Sequence, residues 1–164
     1  MKFKGNTVVE EFSSILEGES PRGVAVVCAA FFDETLGRLL GDKKERAFYN
    51  RIVDASDFGL LTRDEHHDLN VLRELRNHFA HNLRAKTFDA KATAKVDSLK
   101  LWRTASSQLL SYTKLFPTVQ DRLLYVAAVI AFRLQKRSKV VKKPGPLPEP
   151  TITDTKAWPP AISR

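Results

Sequence analysis

Apolar residues recur along most of this chain at three- and four-residue steps, the spacing of one face of an α-helix. Val8, Val9, Phe12, Ile15 and Leu16 make the first such set, and Gly18 closes it. Ser20-Pro21 then supplies an N-cap followed by proline at the first helical position. The helix they open carries Val24, Val27, Cys28, Phe31, Leu36, Leu39 and Leu40, with Gly41 as its stop. It is apolar over most of its circumference for three turns, which predicts the central helix. A third helix is expected from about Lys43 to Phe58, presenting Phe48, Ile52, Val53 and Ala55 and ending at Gly59. Thr62-Arg63-Asp64-Glu65 reads as a capping box for a fourth, whose apolar face is Leu69, Leu72, Leu75 or Arg76, and Phe79, with Asn82 as its end cap. After a loop near Arg84–Asp89, one long helix is expected to carry Val96, Leu99, Leu101, Trp102, Leu109, Leu110 and Tyr112 as far as the break at Phe116-Pro117. Thr118-Val119-Gln120-Asp121 starts a last helix that buries Leu123, Leu124, Val126, Ala127, Ile130 and Leu134. No strand-like alternation of useful length and no internal repeat of 20–50 residues interrupts this pattern. The expected fold class is all-α, a five- to six-helix bundle with a basic, Pro-rich C-terminal tail.

The tail changes how the charge is read. The net charge of +8 suggests a nucleic-acid partner, but residues 1–132 carry 19 Lys and Arg against 17 Asp and Glu, whereas residues 133–164 carry 8 against 2. The excess therefore belongs to an appendage and not to a basic groove on the core. Two segments are predicted, a helical domain over 1–135 and an extended tail over 136–164. In the tail Lys136, Arg137, Lys139, Lys142 and Lys143 precede prolines at 144, 146, 148 and 150, a spacing that forbids a helix. Those five cations are candidate contacts for an RNA or DNA backbone, the alternative being a solubilising tail. The single cysteine, Cys28, excludes an internal disulfide and reads as a small buried hydrophobe. The longest apolar run, Val24 to Phe32, is about half of what a bilayer needs, so no membrane partner is expected and the cytoplasm is the predicted location.

One segment could carry chemistry, Arg76-Asn77-His78-Phe79-Ala80-His81. A histidine near its ordinary pKa can move the proton of a 2′-hydroxyl, and a guanidinium can hold a phosphorane bidentately. Cleavage of RNA by internal transesterification needs only such groups and no metal. On a straight helix Arg76 and His81 stand about 140° apart, so they converge only if the helix ends or bends near Phe79, or across a two-fold axis. Asn77 and His81, four residues apart, share a face. The structural alternative pairs Arg76 with Asp33 or Glu34 of the central helix and leaves His81 to counter the helix dipole. His66-His67 reads as a solvated face. His78 and His81 have metal-compatible spacing but lack a third ligand, so no metal site is expected. No Gly-rich phosphate loop, Gly-x-Ser-x-Gly or Cys-x-x-Cys is present, and no cofactor is expected.

The run Pro21 to Leu36 resembles the opening long helix of the mannitol operon repressor (MltR-like) family. Phe48 to Leu60 and then Leu69 to His81 resemble that family's second signature, including Gly59-Leu60 and the late Arg-Asn-x-Phe-Ala-His pattern. Arg76-Asn77 followed by His81 is also similar to the motif of the HEPN superfamily. The first resemblance implies a regulatory protein in transcriptional or RNA-level control. The second implies a helical, homodimeric, metal-independent endoribonuclease of the toxin–antitoxin or defence type, with Arg76 and His81 catalytic, Asn77 supporting, and Asp33 or Glu34 as a polar partner. A helical module that binds a cognate regulatory protein is a third expectation. No basic recognition helix of a helix-turn-helix is present.

Overall fold

The computed structural model describes residues 12, 14–42, 46–82, 85–108 and 111–140, and every regular element among them is helical. A short helical stretch holds Phe12 and residues 14–16. After it come α1 (Pro21–Leu40), α2 (Phe48–Asp57), α3 (Arg63–His81), α4 (Ala90–Asp97), α5 (Lys100–Gln108), α6 (Ser111–Leu115) and α7 (Val119–Val140). The chain is all-α, as expected. Within the described residues the stretch predicted as one long helix is interrupted at Ser98 and Leu99, so it holds more than one helix.

Local signals account for most helix ends. Ser20 Oγ accepts from Gly23 N at 3.1 Å to start α1, and Gly41, at φ +64°, ends it with Asp42 N donating to Gly37 O at 2.9 Å. Only glycine takes that left-handed position without strain. The capping box of α3 is formed in both directions: Glu65 N donates to Thr62 Oγ1 at 3.3 Å, and Thr62 N donates to Glu65 Oε2 at 2.9 Å. Thr118 and Asp121 reciprocate in the same way at the start of α7. By contrast α2 begins at Phe48, later than the expected Lys43, and its N-cap Ala47 has no side chain that could cap it.

The core lies where α1, α3 and α7 meet. Val24, Cys28, Phe32 and Leu36 of α1, Leu69, Leu72, Leu75 and Phe79 of α3, and Leu123, Val126, Ile130 and Leu134 of α7 are all fully buried. Each such leucine or phenylalanine contributes roughly 1.5–3 kcal/mol on leaving water. Phe12 packs against Phe31 and Phe32, with ring centroids at 4.4 and 5.9 Å, and Leu16 is buried, whereas Ile15 is exposed. Burial pushes the Cys28 thiol up to about 12, so it behaves as the small hydrophobe the sequence suggests. Among the described residues no helix is long and apolar enough to cross a membrane.

Two buried carboxylates decide how the helices join. Asp68, fully buried on α3, accepts from Lys100 N at 2.7 Å and Leu101 N at 3.0 Å, and His67 Nδ1 lies 3.0 Å from it. It serves as the N-cap of α5 from another helix, which explains why the long helix expected here is interrupted at Ser98 and Leu99. His67, expected on a solvated face, is half-buried as part of this group. Glu65 is also fully buried; Arg137 reaches it from α7 with Nη1–Oε2 at 2.7 Å and Nη2–Oε1 at 3.1 Å, and Arg133 stands at 3.4 Å. Arg137 Nη1 also donates to Leu60 O at 3.1 Å.

This lock corrects the reading of the tail. Helix α7 continues to Val140, so extended chain does not begin at 136. Arg137 is an anchor of the fold and not a free cation for a nucleic-acid backbone. Lys136 lies over the Phe132 ring at 4.5 Å. Lys139 falls in the last turn of α7, and Lys142 and Lys143 lie outside the described residues.

Candidate functional site

Helix α3 carries the Arg76–His81 segment and remains regular to its last residue, His81, where Asn82 N donates to His78 O at 3.0 Å. Its buried arc is set by Leu69, Leu72, Leu75 and Phe79, which turns Arg76, Ala80 and His81 outward. Phe79 is fixed by an edge-on contact with Phe88, ring centroids 5.6 Å apart.

Because the helix does not bend, Arg76 and His81 keep their angular separation of about 140°. Both are exposed. Among the described residues they form no hydrogen bond with each other, so the structure does not bring the two together within one chain. Arg76 Nη1 donates instead to Asn77 Oδ1 at 3.2 Å. That bond uses the amide oxygen of Asn77 and leaves its NH₂ group, two donors, for an acceptor from outside.

Asp33 and Glu34 do not meet Arg76. Arg51 of α2 donates to Asp33 Oδ1 at 2.6 Å, and Glu34 lies 3.8 Å from Arg38 on its own helix. Within the described residues neither carboxylate expected as a polar partner is paired with Arg76, because α2 brings its own arginine to Asp33. Gly37 leaves room for it, since a Cβ there would stand 3.1 Å from the Arg51 guanidinium, closer than ordinary contact. Glu34, Arg38, Asp42 and Arg51 line an open depression of about 450 Å³ between α1 and α2, in which each charge has an opposite neighbour.

His78 takes a different part from its neighbours. It is mostly buried, with its ring edge-on to Phe79, and its Nε2 lies 3.0 Å from Asp89 Oδ2, an ion-pair distance. Asp89 caps α4 by accepting from Ala92 N at 2.8 Å. That N–H, with His78 adding to it, holds the Asp89 carboxyl below the usual carboxylate range. His78 thus tethers the α3–α4 connection, and His81 alone remains as an exposed imidazole at this end of the helix. Among the described residues no three His, Cys, Asp or Glu side chains group as metal ligands.

Two residues of this surface were missed in the sequence. Arg73, one turn before Asn77, points the same way, and its guanidinium lies over the Tyr49 ring at 5.2 Å. The four-residue spacing from Arg73 to Asn77 to His81 was a legible signal. Tyr49 carried none, because only the packing of α2 on α3 places it there. No known protein family, curated protein or solved structure matches the chain.

Proposed function

We propose that the chain is a regulatory protein of the MltR-like kind, acting at the transcriptional or RNA level as a homodimer, with the outward face of the C-terminal half of α3 as its phosphodiester contact. One observation carries this reading: the carboxylates that would have given Arg76 a structural purpose are engaged by Arg51 and Arg38. An exposed guanidinium with no counter-ion among the described residues, beside an outward amide and an imidazole, suits phosphate oxygens. The separation of Arg76 from His81 favours binding over catalysis within a single chain.

A second reading, metal-independent endoribonuclease, is supported by the exposure of both motif residues. In it His81 takes the 2′-hydroxyl proton as that oxygen attacks phosphorus, and Arg76 stabilises the phosphorane. A protonated imidazole from the second copy gives its proton to the departing 5′-oxygen, leaving a 2′,3′-cyclic phosphate and a 5′-hydroxyl.

The test is an assay on mixed cellular RNA with EDTA present throughout, wild type beside His81→Ala and Arg76→Ala. The regulatory reading expects no cleavage by any of them, and binding by Arg76→Ala that is weaker and less salt-dependent by about one counter-ion. Cleavage by wild type alone, leaving cyclic-phosphate ends, would replace the regulator with the ribonuclease. Undiminished binding by Arg76→Ala would remove α3 from both.

A further inference from the structure

Where α2 meets α3 beside this face, a cation–π pair stands at the surface. Tyr49, in the first turn of α2, is 52% exposed, with the Arg73 guanidinium over its ring. Arg73 Nε is buried and has no hydrogen-bond partner among the described residues, where Arg73 also makes no ion pair. Of the neighbouring carboxylates, Asp54 is held by Arg46 at 2.6 Å, Asp33 by Arg51 at 2.6 Å and Glu74 by Lys95, and Glu74 also feels the Arg73 charge through space. A cation thus sits over an exposed aromatic ring with no direct ion pair among the described residues.

From that pair a row of donors runs along α3. Arg73, Asn77 and His81 follow at four-residue steps, a line about 12 Å long, and Arg76 flanks it across the small side chain of Ala80. The row holds two arginines, an outward amide and an imidazole, and the one carboxylate that borders it on this helix, Glu74, is held by Lys95. An exposed aromatic at the head of a row of cations and N–H donors has the two parts that an unpaired nucleotide strand requires, a stacking surface for a base and donors for successive phosphates.

We infer that Tyr49 and Arg73 form a subsite for an unpaired nucleobase and its adjoining phosphate, which makes this face selective for single-stranded over double-stranded RNA. The inference rests on the reading of α3 as the nucleic-acid contact and adds to it the class of ligand. The base stacks on the Tyr49–Arg73 pair, and the strand continues over Ala80 with its phosphates against Arg73, Asn77 and Arg76. Duplex RNA gains nothing from the ring, because its bases are already stacked and its deep groove is closed to side chains.

The experiment measures fluorescence anisotropy of the full chain with a labelled 2′-O-methyl oligouridylate and with a 2′-O-methyl duplex of equal length. Both lack the nucleophile for internal cleavage, and all variants are compared at one salt concentration, so the tail contributes equally throughout. Tyr49→Leu is expected to weaken single-strand binding roughly tenfold while Tyr49→Phe matches wild type and duplex binding is unchanged. Arg73→Gln, which removes the cation and keeps the stem, is expected to lose affinity in the same direction and serves if Tyr49→Leu fails to fold. Wild-type affinity in Tyr49→Leu beside a loss in Arg76→Ala would overturn the subsite and leave the α3 contact standing. Wild-type affinity in both variants, or no binding by the wild type, would overturn the two together. Equal losses on single strand and duplex would overturn the selectivity.

Discussion

Arg137→Ala is expected to destabilise the protein by about 3 kcal/mol, lowering its melting temperature by roughly 6–12 °C. Glu65 is fully buried, and Arg137 supplies two of its hydrogen bonds. Removing one partner of such a pair leaves an uncompensated charge in the interior. The figure sits at the lower end for that change because Arg137 is itself 28% exposed and Arg133 remains at 3.4 Å. Replacing both members with leucine is expected to recover much of the loss, since an apolar pair of similar bulk has no charge to strand. Thermal unfolding followed by circular dichroism checks both variants. Were Arg137 a free cation of the tail, the melting temperature would stay at the wild-type value and only nucleic-acid affinity would fall.

The same pair sets a pH dependence. Burial by itself would raise the Glu65 carboxyl, but the Arg137 hydrogen bonds and the Thr62 N–H outweigh it and hold it below the usual glutamate value. A carboxyl depressed in the folded state gives stability that is fully present above its unfolded pKa, about 4.3, and is lost as pH falls through the folded value. Urea midpoints of the wild type should therefore decline on acidification below that point. In Arg137→Ala the decline flattens, because the depression has lost its main cause.

Asp68→Ala is expected to be nearly as damaging, at about 2–3 kcal/mol, by a different route. It removes the acceptor for Lys100 N and Leu101 N and leaves the start of α5 uncapped beside the buried Trp102. Asp68→Asn keeps one acceptor oxygen and should lose about half as much. Hydrogen exchange locates the effect: the amides of Lys100 and Leu101 lose protection first, while those at the centre of α3 keep theirs. Uniform loss across the protein would place the defect in the core and not in the cap. Burial pushes the Asp68 carboxyl up, and His67 with the Leu101 and Lys100 N–H groups only partly offsets it. Its contribution is thus fully present below its unfolded pKa and declines as pH rises through the folded value, opposite in sign to that of Glu65.

Much of the fold was legible in local sequence. Ser20-Pro21, Gly41, the Thr62–Glu65 box and Phe116-Pro117 each act within a few residues through backbone groups that any helix end leaves unpaired, so they sit where the sequence places them. The apolar faces of α1, α3 and α7 were readable for the same reason, since a three- to four-residue period needs no partner to be recognised. The choice the sequence left open between Leu75 and Arg76 for the apolar face was settled by packing, which buries Leu75 and leaves Arg76 exposed.

What joins the helices was decided only by tertiary structure. The break between α4 and α5 depends on a carboxylate 32 residues away in sequence, and the end of α7 depends on a glutamate 72 residues away. Nothing local marks Asp68 or Glu65 as buried, because a carboxylate can leave water only where distant donors already converge on it. The same holds at the candidate site. Sequence alone offered Asp33 and Glu34 to Arg76, and the packing of α2 gave Asp33 to Arg51 and set Tyr49 under Arg73. Periodicity determines which side of a helix faces the core; which charge meets which across helices is determined by the packing that brings them within a few ångströms.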